Sequence, residues 1–251
     1  MKVLTVHPDE RNIVINVAQK VFAAYDGAGR EWNLTSDSDI WAIHLANRAG
    51  VVGVELSGLR FCVKLFYDPS FKGYLKNFFH CSKAKRAWRS GVELMQRGIA
   101  VPRMVGYAEG PMGMGLMITA LIENASRLDQ YIELNGASAK LAKALGLFIR
   151  HMHDAGVTHS DLSVRNIMVR DGGDGFVLLD YEDACFSNNV SQQQRLKDIH
   201  HLNERALGLI PLKLRLIFLR SYLGKRETRD WVLLLDDMIK KYPSKYTQGL
   251  K

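Results

Sequence analysis

Cysteine is scarce in this chain: Cys62, Cys81 and Cys185 are an odd, unpatterned set among 251 residues. A disulfide framework is therefore excluded as the source of stability, and reduced thiols in a cytosolic protein are expected. Long apolar runs are also missing, none reaching the ~18 residues of a spanning helix, so no membrane crossing is predicted. Near the N-terminus Pro8, Asp9, Glu10, Arg11 and Asn12 interrupt any apolar signal core, which leads to the expectation of a chain without a leader. There are no repeats, low-complexity tracts or long linkers. What remains is globular composition, 47% hydrophobic and 24% charged, enough to bury a full core as one large domain or two small lobes.

Acidic residues are lacking in one region. The formal charge is +8, and the stretch Ser187–Lys251 holds 13 Lys and Arg against 6 Asp and Glu, so almost all of the excess lies in the C-terminal quarter. Such a region attracts an anionic membrane surface, an anionic substrate or nucleic acid, or it is simply a set of solvated helix faces. Few aromatics are interleaved with these charges, so nucleic-acid binding is not expected.

The chemistry concentrates in residues 157–183. His159-Ser160-Asp161-Leu162 is followed by Asn166, and the apolar run Phe176-Val177-Leu178-Leu179 ends in Asp180. Between them Asp171-Gly172-Gly173-Asp174-Gly175 is a strong turn signal. The segment reads as loop, short strand, tight turn, strand and loop, which would bring Asp161, Asn166 and Asp180 to one end of a hairpin. Phosphoryl transfer needs such a set: a carboxylate to orient the attacking hydroxyl and accept its proton, and an amide oxygen and a second carboxylate to hold Mg²⁺ against nucleotide phosphates.

Upstream, residues 9–24 carry Ile13, Val17, Lys20, Val21 and Ala24 at helical spacing and predict a helix. The Gly-x-Gly of residues 26–30 reads as a connector. Strands are predicted at Ile40–Leu45, Val51–Leu56 and Leu59–Tyr67, with Gly50 and Gly53 near the first bend, where backbone N–H groups could approach phosphates. In Phe61-Cys62-Val63-Lys64 the strand period puts Cys62 on the face of Lys64. Residues 82–97 read as a helix with Ala84, Ala87, Trp88, Gly91, Leu94 and Met95 inward, followed by strands at Arg103–Ala108 and Gly115–Ala120 around a Gly- and Met-rich turn. A short helix is predicted to open at Ser126, and a longer one over 138–153, with His151 and His153 taken as packing residues because no third metal ligand accompanies them. Further helices are predicted at Gln194–Leu209, Leu212–Leu223 and Trp231–Ile239.

Lys64, His-Ser-Asp-Leu-Ser-Val-Arg-Asn at 159–166 and Asp-Tyr-Glu at 180–182 resemble the V-A-I-K, H-R-D-L-x-x-x-N and D-F-G elements of the protein-kinase-like superfamily. Within it the chain is most similar to the lipopolysaccharide core kinases, the Kdo and heptose kinase family. The resemblance runs over about residues 40–205 through Phe61–Tyr67, Lys83–Trp88, Gly98–Pro102, His153–Leu162 and Leu178–Asp180. It implies an α+β fold of two lobes, a small β-rich N-lobe over residues 1–122 and a larger helical C-lobe over 123–251, with an ATP cleft between. It implies that Lys64 binds the nucleotide phosphates, with Cys62, Gly50 and Gly53 lining the nucleotide site. Asp161 is then the catalytic base toward a sugar hydroxyl, His159 braces the loop, Asn166 and Asp180 hold Mg²⁺, and Asp198 anchors the loop backbone. The expected activity is ATP- and Mg²⁺-dependent phosphorylation of a heptose or Kdo hydroxyl in the lipopolysaccharide inner core, by a cytoplasmic enzyme peripheral to the inner face of the membrane.

Three departures from the family pattern shape the alternatives. Ala87 stands where the family places a Glu to pair with the strand lysine, and Glu93 lies about 240° further round the helix. Ser163 replaces the Lys of protein kinases, as in small-molecule kinases, and Asp-Tyr-Glu lacks the Gly of D-F-G with no A-P-E after it. A soluble small-molecule phosphotransferase of aminoglycoside or choline kinase type and a catalytically weak pseudokinase are the competing readings.

Overall fold

A computed structural model of the chain describes residues 1–26, 31–34, 39–45, 49–67, 82–110, 114–173, 175–206 and 208–224. The predicted helix at Trp231–Ile239, the turn centred on 111–113 and Cys81 lie outside the described residues. The chain divides into two compact units. One comprises Met1–Glu93 and Val101–Glu123, and the other Leu94–Ala100 together with the chain from Asn124 onward.

The first unit is built on a six-stranded antiparallel sheet. Its strands are β1 (Lys2–Thr5), β4 (Ile40–Leu45), β5 (Ala49–Leu56), β6 (Leu59–Phe66), β7 (Met104–Glu109) and β8 (Gly115–Ala120), in the order β1-β7-β8-β6-β5-β4. β2 (Tyr25–Asp26) and β3 (Glu31–Trp32) form a separate two-stranded ribbon. Helix α1 (Arg11–Ala24) covers one face. Its buried residues are Val14, Val17, Ala18 and Val21, an i, i+3, i+4, i+7 set that meets Val52, Val54, Phe61, Val63, Leu65, Leu116 and Ile118 in one core. The predicted helix is present, but its inward stripe is centred one residue from the expected one: Ile13 and Ala24 are only half-buried, and Lys20 pairs with Asp39. β1 escaped sequence reading because it is four residues long and takes its register from β7 alone.

Helix α2 (Lys83–Gln96) begins at Ser82, whose hydroxyl accepts from the Lys85 backbone N–H at 3.2 Å. Ala84 and Ala87 are fully buried, and a side chain on Gly115 would strike the Ala84 methyl, so small residues let helix and sheet approach closely.

The second unit is mainly helical. Helices α3 (Leu128–Asn135), α4 (Ala139–Asp154), α5 (Gln192–Ala206) and α6 (Leu212–Leu223) accompany two small sheets. The first sheet has the order β12-β11-β9, from β9 (Ala125–Arg127), β11 (Ile167–Arg170) and β12 (Phe176–Leu178); the second pairs β10 (Val157–Thr158) with β13 (Cys185–Phe186). α4 is capped by Ser138, which accepts from the Leu141 N–H; of the expected stripe it buries Leu141, Leu145, Ile149 and Met152, while Phe148 is half-buried. Ser191 and Gln194 form a reciprocal capping box at the start of α5, two residues before the predicted boundary. The expectation of a helix opening at Ser126 is corrected. Ser126 pairs with Val169 in a strand, and the helix starts at Leu128, because the backbone of 125–127 completes the β11 ladder.

Leu94–Ala100 joins this second unit although it sits early in the chain. The Arg97 guanidinium donates to the carbonyls of Ala155 and Ser187 at 2.8 and 2.9 Å, and the Leu178 N–H donates to Ala100 at 2.9 Å. Gly156 is obligatory there: its φ is +79°, and a side chain would overlap the Ser187 carbonyl.

Candidate active site

The segment that carries His159, Asp161 and Asn166 runs between the two small sheets of the second unit. β10 delivers the chain to His159, and β11 carries it away from Asn166. The β11–β12 hairpin closes through Gly172 and Gly173, both with positive φ, and pairs Ile167 with Leu178. One residue beyond that pair the Leu179 N–H donates to the Asn166 carbonyl at 2.8 Å. Asn166 and Asp180 thus leave the same end of the hairpin, as the turn signal at 171–175 predicts.

Asp161 is tied to that end by the Asn166 side chain, whose Nδ2 donates to the Asp161 carbonyl at 2.9 Å. This bond uses the amide nitrogen and leaves the amide oxygen of Asn166 for another partner. The Asp161 and Asp180 side chains are exposed. Ser160 and Asp180 adopt left-handed backbone, φ +71° and +59°, which a non-glycine residue holds only under constraint from its surroundings. One of these positions directly precedes Asp161, and the other is Asp180 itself.

The constraint comes from behind the loop. Asp198 on α5 is 1% exposed; its Oδ2 accepts from the His159 backbone N–H at 2.7 Å, and its Oδ1 accepts from the Ser160 N–H at 3.2 Å. The His153 Nε2 also approaches Oδ2 at 3.3 Å, and its Nδ1 meets the Tyr222 hydroxyl at 2.7 Å. Burial works to raise the Asp198 carboxyl, but the His153 ring and the His159 N–H outweigh it and hold the group below the usual carboxylate range. The anchoring role expected of Asp198 is present, and His153 is a packing residue. His159 is 1% exposed, and its Nε2 donates to the Leu179 carbonyl at 2.7 Å, next to Asp180. That bond ties the loop of Asp161 to the strand end before Asp180.

In the first unit, Phe61, Val63 and Leu65 face the core, while Cys62 and Lys64 share the opposite, half-exposed face of β6. The Lys64 ammonium lies 5.3 Å from the Phe66 ring centroid on that face. Burial pushes the Cys62 thiol up to about 11, against the partial pull of the Thr119 hydroxyl and the Lys64 charge. Gly53 and Gly50 project from opposite faces of β5. A side chain on Gly53 would overlap the Trp41 indole, and one on Gly50 would meet the Trp32 indole at 2.6 Å. The tryptophan rings account for both glycines.

Sequence reading missed Asp129. It is buried at the start of α3, and its carboxylate accepts from Arg127 Nε and Nη2 at 3.0 and 2.8 Å and from the Gln130 N–H at 3.0 Å. The Arg165 Nε lies 3.6 Å from the same carboxylate. Burial alone would raise Asp129, but Arg127, the Gln130 N–H and Arg165 together hold it below the ordinary range. In the sequence it was only one residue of the short helix expected to open at Ser126.

Among the described residues no three His, Cys, Asp or Glu side chains converge as a metal cage. The Asn166 amide oxygen and the Asp180 carboxylate are nonetheless hard oxygen donors of the type a magnesium ion takes when phosphates and water complete its shell.

Similarity to known proteins bears on this arrangement. Over 162 residues the chain is 26% identical to a "3-deoxy-D-manno-octulosonic acid kinase" of Pasteurella multocida (strain Pm70), covering 59% of this chain and 66% of that protein. It thus spans just under two thirds of that relative's length. The fold matches that of WaaP, solved in complex with acyl carrier protein, with a TM-score of 0.64, 20% identity, and 96% and 98% of the two chains covered. A spectinomycin phosphotransferase solved with ADP and spectinomycin matches with a TM-score of 0.56 and 10% identity over 80% of this chain and 81% of that one. The fold is therefore protein-kinase-like. The family model described as the lipopolysaccharide kinase (Kdo/WaaP) family matches residues 52–231, well over half of the sequence, and the chain belongs to that family.

Proposed function

We propose that this protein transfers the γ-phosphoryl group of ATP to a hydroxyl of a heptose or octulosonic-acid sugar in the inner core of lipopolysaccharide. The observation that carries the reading is the tie between Asn166 and Asp161 at the hairpin end from which Asp180 emerges. Asp161 accepts the proton of the attacking sugar hydroxyl and directs that oxygen at the phosphorus. Asn166, through its amide oxygen, and Asp180 hold Mg²⁺. When bound, the ion neutralises phosphate charge and orients the leaving group. Lys64 is assigned to the nucleotide phosphates, Cys62 and Gly53, which are cross-strand partners, to the nucleotide-binding face, and Gly50 to the nucleotide site through its backbone N–H alone. Asp198 and His159 hold the loop in its strained conformation, so the base is positioned before substrate arrives.

No helix among the described residues is long and apolar enough to cross a membrane. The basic C-terminal quarter supports a peripheral position on an anionic membrane surface, where a core glycolipid would be met. The test is transfer of labelled phosphate from ATP to purified core lipid. Wild-type protein should label the lipid, and Asp161→Ala should lower the rate about 10²–10⁴-fold with the thermal midpoint unchanged. Nucleotide binding without any transfer would refute the reading.

The likeness in fold to an antibiotic phosphotransferase supports a second reading, a kinase of soluble small molecules. Anionic vesicles separate the two: retention at low salt that fades at high salt belongs to the lipid kinase, and no retention favours the soluble one.

A further inference from the structure

We propose that Arg165 recognises a carboxylate on the acceptor sugar, so that the site selects a sugar acid over a neutral sugar. This rests on the phosphotransfer reading above and assigns the acceptor side of the same loop.

Arg165 is carried by the reactive loop itself. The Asn166 N–H donates to the Ser163 carbonyl at 3.0 Å, which makes Val164 and Arg165 the central residues of a tight turn. The ends of that loop are closed by the bond from Asn166 Nδ2 to the Asp161 carbonyl. A group held by Arg165 is therefore held beside the residues assigned to the base and the metal.

The chemistry around Arg165 leaves its charge only partly compensated. Its side chain is 72% exposed, and its contact within the described residues is the 3.6 Å ion pair to Asp129, longer than a hydrogen bond. Asp129 is already engaged, because Arg127 grips it through two parallel N–H donors and the Gln130 N–H occupies it as well. Two guanidinium groups thus share the Asp129 carboxylate, and the further carboxylate within electrostatic reach, Glu133, acts on Arg127. Asp129 stays ionised among these donors and draws in the Nε side of Arg165. The Nη edge of Arg165 makes no hydrogen bond among the described residues. A planar fork with two parallel donors fits a carboxylate. An arginine kept only for packing or loop stability would spend its donors on the protein.

The experiment compares two acceptors, a glycoside of 3-deoxy-D-manno-octulosonic acid and its carboxyl methyl ester, with the full chain and with Arg165→Gln, Arg165→Lys and Asp129→Asn. Wild type should favour the acid by about 10–100-fold in kcat/KM, the range of a charge-assisted hydrogen-bonded contact. Arg165→Gln should bring the acid down to the ester while leaving KM for ATP and the thermal midpoint in place. Arg165→Lys should keep only part of the preference, because an ammonium keeps the charge and loses the fork. Calorimetry of the acid with Arg165→Gln in the absence of ATP should show the same loss. An unchanged acid-to-ester ratio in Arg165→Gln overturns the assignment, as does a loss that falls on both acceptors alike or on KM for ATP. Wild type that transfers to neither acceptor overturns the phosphotransfer reading, and this assignment with it.

Discussion

Asp198 accepts the His159 backbone N–H at 2.7 Å from a helix that begins 33 residues after His159, and by that bond the reactive loop is held from behind. The same carboxylate takes the Ser160 N–H and the His153 ring, so three donors depend on one buried group. The left-handed backbone at Ser160 persists because this carboxylate and the Ser160 hydroxyl, which donates to the Asp183 carbonyl at 3.0 Å, hold both sides of the residue.

Removing that carboxylate should be costly. Asp198→Ala strands two backbone donors and a buried ring, and a loss of about 3–5 kcal/mol is expected from breaking a buried charged contact. Asp198→Asn keeps the shape and should cost less. Urea unfolding measures both, and an Asp198→Ala loss below about 1 kcal/mol would show that the loop is held by other contacts.

Acid should act through the same group. Asp198 and Asp129 both lie below the usual carboxylate range in the folded chain, so each binds its proton less readily folded than unfolded. Their contribution is complete above the ordinary value of about 4 and is lost as pH falls through the lower folded values. Unfolding midpoints measured at intervals from about pH 5 downward should fall more steeply in wild type than in Asp198→Asn. Parallel curves would assign acid unfolding to other groups.

The cysteines should differ in reactivity. Burial raises Cys62 to about 11, so little thiolate exists near neutrality, whereas Cys185 is exposed. Iodoacetamide should label Cys185 first, with Cys62 gaining rate as pH approaches its raised value. If β6 carries the nucleotide face, ATP should slow Cys62 labelling further; peptide mass spectrometry with and without ATP reads both effects, and equal Cys62 labelling in the two would remove it from that face.

Helix packing offers an independent check. A side chain on Gly146 of α4 would strike the Phe218 carbonyl of α6, a backbone atom that cannot rotate away. Gly146→Ala should therefore destabilise by about 1–3 kcal/mol, the usual range for overpacking, despite the better helix propensity of alanine. A gain in thermal midpoint would mean that α6 shifts freely.

Much of this protein was legible in one dimension. The hairpin at 167–178 announced itself through an apolar run and a glycine-rich turn, and helical spacing over 138–153 marked α4. The face shared by Cys62 and Lys64 followed from the two-residue period of a strand. These are local properties: propensity, capping and periodicity act over a few residues and can be read from neighbours. Ser126 shows the limit. It was expected to open a helix, yet pairing with β11 took its backbone for a strand.

The sequence by itself determined which residue types are available for phosphoryl transfer and the family to which they belong. Only the tertiary structure decided that the Asp198 carboxylate, expected to anchor the loop, also takes the His153 ring, that Trp32 and Trp41 occupy the faces of Gly50 and Gly53, and that Arg127 and Arg165 share Asp129. Those relations join residues tens of positions apart or depend on which backbone groups a strand has already claimed, and no local preference encodes a partner that arrives only when the chain has folded.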